Sequence, residues 1–173
     1  MFKIWHLLAF MCISTIGFSQ ENGTIFDVAR NGTVAQMKSV LIANPTAINN
    51  VNKDGFSALI IAIYRNNNQV AQFLIENGAN FNENSPMGSP LMAATVKGNI
   101  EIARILLNKK ADVNIADENG TTALIYAVQF TNFAIVELLL NNKVDKTHKD
   151  KQGKTAFEYA VFAGNEKIIN QLK

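Results

Sequence analysis

Side chains able to carry chemistry are scarce in this chain. Its 173 residues include one cysteine, Cys12, and two histidines, His6 and His148. A lone cysteine excludes an internal disulfide, so packing alone must hold the fold. No G-x-S-x-G elbow, H-E-x-x-H helix, C-x-x-C pair or P-loop is present, which removes the common hydrolase, metalloprotease, redox and nucleotide readings. Near His148 stand only Asp145 and Asp150, at no known ligand spacing, and His148 reads as a solvated loop residue. Carboxylates are scattered singly, and none form an acid/base pair. The expectation is a protein that is not an enzyme and holds no metal or cofactor. Charge is nearly balanced, 16 basic against 14 acidic residues, so there is no general pull toward nucleic acid or anionic membrane. No apolar stretch reaches the roughly 18 residues of a membrane helix.

What is present begins with an N-terminal address. Lys3 is a short positive segment, Ile4 to Phe18 is apolar, and Gly17 and Ser19 are small residues just before Gln20. That arrangement predicts a secretory signal peptide over residues 1–19. Cys12 follows Phe10 and Met11 inside the apolar region, which disfavours a lipoprotein. Cleavage takes 173 residues to 154, enough for one domain with a sizeable core. It also removes the cysteine. The mature chain is expected outside the cytoplasm, periplasmic or secreted, with no membrane insertion.

Beyond residue 24 the sequence repeats itself. Residues 54–62 read DGFSALIIA, 86–94 PMGSPLMAA, 119–127 NGTTALIYA and 152–160 QGKTAFEYA. The aligned apolar residues are Leu59, Leu91, Leu124 and Phe157, so the period is 32 or 33 residues. A period of that size marks a solenoid of stacked supersecondary units. Asp54-Gly55, Asn119-Gly120 and Gln152-Gly153 supply turns, the glycines allowing positive φ. Ser57, Ser89, Thr122 and Thr155 then sit where a hydroxyl caps a helix. Leu59 with Ala62, and their counterparts, fall three apart on one helical face.

A second helix follows in each unit. Val70, Phe73 and Leu74 recur as Ile102, Ile105 and Leu106, then as Ile135, Leu138 and Leu139, with Gln72, Arg104 and Glu137 on the other side. This is an apolar stripe at helical spacing. Gly98 and Gly164 stand between the two helices, where a tight αα-turn is wanted. Residues 78–82 (GANFN) and 110–114 (KADVN) lead into the next unit.

These motifs resemble the ankyrin repeat. Its first-helix pattern T-P-L-H-x-A is matched by SPLMAA (89–94) and TALIYA (122–127), and its G-A-D-x-N loop by GANFN and KADVN. The resemblance implies an all-α solenoid over residues 25–173, after a short linker at 20–24. About five helix-turn-helix units are expected, near 25–52, 53–84, 85–116, 117–149 and 150–173. The outer two read as caps, with Gln171 as a polar residue where Phe73, Ile105 and Leu138 are apolar.

Departures from the pattern carry their own expectations. The family's histidine is replaced by Ile60, Met92, Ile125 and Glu158, so apolar packing should substitute for its hydrogen bond. The unit starting near Pro86 is one residue short and has Met87 where glycine is expected, predicting an altered hairpin tip. Lys143-Val144-Asp145 with Thr147 predicts an irregular fourth loop. Asn22-Gly23-Thr24, Asn31-Gly32-Thr33 and Asn119-Gly120-Thr121 form glycosylation sequons but read as turn residues.

The resemblance also implies protein binding through the concave side, formed by hairpin tips and first-helix ends. Carried over position by position, that surface holds Arg30, Lys53, Phe56, Tyr64, Arg65, Lys97, Gln129, Phe130, Lys154 and Phe162. Aromatics and arginine dominate interface energetics. If Tyr64 and Phe130 are exposed, replacing both by alanine should leave stability nearly unchanged. A second patch, Lys143, Lys146, Lys149, Lys151 and Lys154, reads as a solvated surface or as a contact for an acidic partner. Small signal-bearing bacterial ankyrin proteins resemble this chain; some support an exported enzyme and others neutralise a toxin. A secreted effector acting on host proteins is the alternative. The expected form is a monomer with one protein partner.

Overall fold

A short helix forms wherever a capping hydroxyl precedes an apolar run. The computed structural model describes residues 23–173, so the segment read as a signal peptide lies outside the described residues. Ten α-helices follow one another: α1 (Ile25–Asn31), α2 (Val34–Ala43), α3 (Ala58–Tyr64), α4 (Asn68–Glu76), α5 (Pro90–Val96), α6 (Ile100–Asn108), α7 (Ala123–Gln129), α8 (Phe133–Leu140), α9 (Ala156–Phe162) and α10 (Glu166–Leu172). One 3-10 turn (Pro45–Asn49) lies between α2 and α3. Ser57, Ser89, Thr122 and Thr155 accept the backbone N–H of Ile60, Met92, Ile125 and Glu158, satisfying a donor each helix would otherwise leave free. Asn99, Asn132 and Asn165 cap α6, α8 and α10 in the same way. Asn67, the matching residue before α4, instead donates to the carbonyls of Ala29 and Gly32, 3.3 and 2.9 Å away, tying one unit to its neighbour.

Consecutive helices pair, and the pairs stack in two layers. The first helices α1, α3, α5, α7 and α9 lie side by side, with α2, α4, α6, α8 and α10 behind them. Ala62, Ala94, Ala127 and Ala160 are fully buried in the first layer, where a methyl group lets helices approach closely. Ile60, Met92 and Ile125 are buried as well; at these positions apolar packing does replace the family's histidine. In the last unit no further described helix packs on the same face. Phe157 is 38% exposed and Val161 51%, whereas Leu59 and Ile63 at the matching positions are buried. Phe157 aligns with the core leucines, and its surroundings differ because, among the described residues, no further helix covers α9.

The connecting loops are more regular than the lysines suggest. Asn49, Asn82 and Asn114 each accept, through Oδ1, the backbone N–H of a residue in the next loop: Asn80, Asp112 and Asp145, at 2.7–2.8 Å. Lys143 adopts φ +59° and Lys110 φ +66°, where Gly78 has +95°. The expected irregular fourth loop is therefore absent: Lys143 accepts the left-handed conformation that glycine provides freely. The ladder of Asn-to-backbone bonds over-determines the turn.

The third hairpin does depart from the others. In the regular tips, Asn52, Asp117 and Asp150 each bond backbone N–H to the carbonyl four residues on, and Oδ1 accepts two further amides. At the third tip Ser85 and Gly88 exchange both backbone bonds, 3.1 and 2.8 Å, in a four-residue turn. The glycine expected at Met87 occurs one residue later, at Gly88, with φ +82°.

Gln171 is not an outward cap. It is half-buried, its Nε2 reaches the Phe133 carbonyl at only 3.5 Å, and its Oε1 is buried without a partner. An unpaired buried acceptor costs about 1–3 kcal/mol. Gln171→Leu, restoring the residue type of Leu138, should raise the melting temperature by about 3 °C, read by thermal circular dichroism.

Candidate functional site

The first helices end in a row facing away from the second layer. Tyr64, Val96, Gln129 and Phe162 close α3, α5, α7 and α9, and Arg30 is the next-to-last residue of α1. Asn66, Gly98, Thr131 and Gly164 then turn the chain with φ between +55° and +64°. Gly98 and Gly164 were expected there. Asn66 and β-branched Thr131 hold the same strained conformation.

Two aromatic clusters stand on the C-terminal half of this row. Phe130 is 55% exposed and stacks on Tyr126, ring centroids 6.3 Å apart. Phe162 is 87% exposed, and the Lys154 ammonium lies 5.5 Å from its ring centre and 5.5 Å from that of Tyr159. Tyr126 donates to Asp117 Oδ2 at 2.7 Å, and Tyr159 to Asp150 Oδ2 at 2.5 Å. Burial first and the Asp117 carboxylate second push the Tyr126 phenol well above its usual range. The Asp150 carboxylate does the same to Tyr159. Both phenols are thus neutral; Tyr126 backs Phe130 directly, and Tyr159 shares the Lys154 ammonium with Phe162.

The N-terminal half is shaped differently. Arg30, Phe56, Tyr64 and Arg65 come together with Ile60, Ile61 and Met87 around a pocket of about 200 Å³. Arg30 is paired with Asp27 at 3.3 Å, the one ion pair among the described residues. Phe56 and Tyr64 are half-buried against the core. This corrects the expectation for the double alanine variant: truncating Tyr64 removes packing, and burial also raises its phenol pKa. Lys53, Arg65, Lys97 and Gln129 are exposed; Lys53 and Lys97 belong to neither the pocket nor the aromatic clusters, whereas the Gln129 side chain lies beside the Tyr159 hydroxyl.

The lysine run is not one patch. Lys146 donates to the Leu172 carbonyl at 3.0 Å, and Lys154 is engaged with rings, leaving Lys143, Lys149 and Lys151 exposed. His148 is half-buried rather than freely solvated, its Nε2 2.8 Å from the Gly120 carbonyl. Among the described residues no group of three or more His, Cys, Asp or Glu could hold a metal ion. Met87, Tyr126 and Tyr159 were missed in the sequence. The i, i+4 spacing of Tyr126 and Phe130 was the available signal.

Glu83 is a half-buried carboxyl hydrogen-bonded by the Ser57 hydroxyl. Burial raises its pKa, and the Ser57 bond opposes that only in part. A carboxyl whose folded pKa is raised favours folding below its unfolded value, and that contribution is lost as pH rises through the folded pKa. Glu83→Gln should therefore raise the melting temperature at pH 7 by on the order of 2 °C. The difference should vanish near pH 4 in thermal scans across pH.

Comparison with known proteins follows the same lines. The family model for ankyrin repeats (three copies) matches residues 25–117 and 110–173. Ankyrin repeat and SAM domain-containing protein 6 of Rattus norvegicus is 35% identical over 101 residues, 57% of this chain and 11% of that protein. Alpha-latrotoxin-Lg1a of Latrodectus geometricus is 35% identical over 95 residues, 53% of this chain and 7% of the toxin. Transient receptor potential cation channel subfamily A member 1 of Homo sapiens is 38% identical over 80 residues, 45% and 7% respectively. The chain spans about a tenth of the length of these relatives or less, so the likeness extends to the repeats alone. With capped helix pairs, a two-layer stack and a matching family model over nearly all described residues, the chain belongs to the ankyrin-repeat family.

Proposed function

We propose that this protein works outside the cytoplasm as a binding module for one partner protein, held along the first-helix ends and hairpin tips. Ankyrin repeats are protein–protein interaction modules, and neither their fold nor the relatives' names select a partner. The observation that carries the reading is Phe162 at 87% exposure beside half-exposed Phe130. A helix end that only faces water gains nothing from phenylalanine, whereas a central aromatic contributes strongly to an interface. The address read at residues 1–19 supports an envelope or secreted location, and support of an exported enzyme or neutralisation of a toxin fits that place. No catalytic role is assigned.

The test is capture of a partner by tagged mature protein from the envelope fraction of its own source, compared with the Phe130→Ala variant. Retention that does not depend on Phe130 or Phe162 would overturn the groove reading. Recovery of the chain mainly from cytoplasm with residues 1–19 still attached would overturn the location.

A further inference from the structure

The N-terminal pocket differs from the aromatic half in shape and in charge, and both differences bear on what it can accept. Its volume, about 200 Å³, is below the roughly 300–1,000 Å³ of pockets that enclose whole small molecules. It is room for one side chain. Apart from the two arginines its lining is Phe56, Ile60, Ile61, Tyr64 and Met87, apolar but for one phenol hydroxyl. The two charged residues lining it are arginines, and no carboxylate lines it.

Local sequence explains why the cavity is there. The residue preceding the cap is Phe56 in the second unit, Thr121 in the fourth and Lys154 in the fifth. In the third it is Gly88, which places no side chain in that row, and φ +82° disfavours any other residue. The shortened turn instead presents Met87 at 44% exposure. A flexible thioether on an exposed turn adapts to the occupant of a site better than a branched residue would.

We propose that this pocket takes one apolar side chain of an acidic peptide segment of the partner, while Arg65 and Arg30 bind carboxylates flanking it. Arg65 is the stronger of the two anchors. It is exposed and outside any ion pair among the described residues, whereas Arg30 already shares Asp27. A guanidinium presents a planar fork suited to bidentate carboxylate contact, so arginine at both positions favours carboxylates over neutral partners. Lys97, following α5 on the same face, extends the positive side along the stack. This rests on the groove being the binding face and names the chemistry of its N-terminal half.

The probe is a set of labelled synthetic peptides: a central phenylalanine flanked by glutamates, the same with lysine flanks, and the glutamate peptide with a central serine. Binding is read by fluorescence anisotropy and by the NMR shift of the Met87 methyl group in the intact protein. The glutamate–phenylalanine peptide should bind, weaken with added salt and shift the Met87 methyl. Arg65→Glu should lower its affinity about tenfold or more with an unchanged melting temperature. Arg65→Lys should recover part of the loss, because the charge returns without the fork. Equal binding of the lysine-flanked or serine-centred peptide would overturn the proposal. So would binding that leaves the Met87 methyl unmoved, or none at millimolar peptide. If the peptide fails while Phe130→Ala still abolishes partner capture, the groove reading stands and only the pocket assignment falls.

Discussion

Ile125→Glu is expected to remove a large share of the protein's stability, lowering it by about 3–5 kcal/mol through a buried charge. Domains of this size hold only about 5–15 kcal/mol in total, so the urea midpoint should fall by roughly a fifth or more. The reason lies in the stacking of units. Ile125 is fully buried between first helices, so a carboxylate there is stripped of water in an apolar layer. The last unit provides the internal comparison, because Glu158 occupies the same position in α9 and is exposed. There the carboxylate accepts the Thr155 N–H at 2.6 Å in a capping box, and hydrogen bonds from that backbone amide and hydroxyl hold its pKa low. Glu158→Ile should therefore cost about 1 kcal/mol or less, by weakening the cap. Comparable urea midpoints for the two variants, followed by circular dichroism, would show that α7 and α9 do not stack as described. Because each unit contacts only its neighbours, local damage at the fourth unit should also decouple the fifth. Its amides should then exchange hydrogen first.

Phe130→Ala carries the other large effect, on binding rather than folding. The ring is 55% exposed and its neighbour is Tyr126 of the same helix, so little core packing is lost. Its removal should move the melting temperature by no more than about 2 °C. If the ring is an interface anchor, partner affinity should drop about 30-fold, the effect of roughly 2 kcal/mol. Surface plasmon resonance with the captured partner gives both the affinity and, by off-rate, the origin of the loss. Tyr64→Ala is the contrasting variant. Half-buried against the core, Tyr64 should lower thermal stability as well as binding, and its binding loss alone is uninformative. Unchanged affinity for Phe130→Ala, with Phe162→Ala equally silent, would move the partner off the aromatic half.

The fold was legible because its signals are local and repeated. A hydroxyl, an apolar residue two later and an alanine three beyond that specify a capped helix with a close-packing face, and four copies make chance agreement improbable. The third hairpin was legible as a departure from the pattern, though its geometry was not. One residue fewer says that the tip changes, but only the exchange of hydrogen bonds between Ser85 and Gly88 shows how. The irregular fourth loop was a misreading with a clear cause. Residue preference for positive φ is a weak local bias, and the contact from Asn114 to the Asp145 amide outweighs it.

The candidate site was legible as a set of positions and no further. Sequence alignment placed Arg30, Phe56, Tyr64 and Arg65 on one face, since the repeat fixes which residues share a row. It did not show that these four close on a single pocket with Met87, because that depends on distances between units. Nor did it show that the Lys154 ammonium stands 5.5 Å from the centre of the Phe162 ring.

Sequence by itself determined the helix pairs, their caps, the period and the row of outward positions, all of which follow from spacing along one unit. Tertiary structure alone decided exposure. Ile125 and Glu158 occupy the same position of the repeat and differ because another helix covers the first and no described helix covers the second. Burial is a property of what stacks against a residue, and in a solenoid that is set by the neighbouring unit, some 33 residues away.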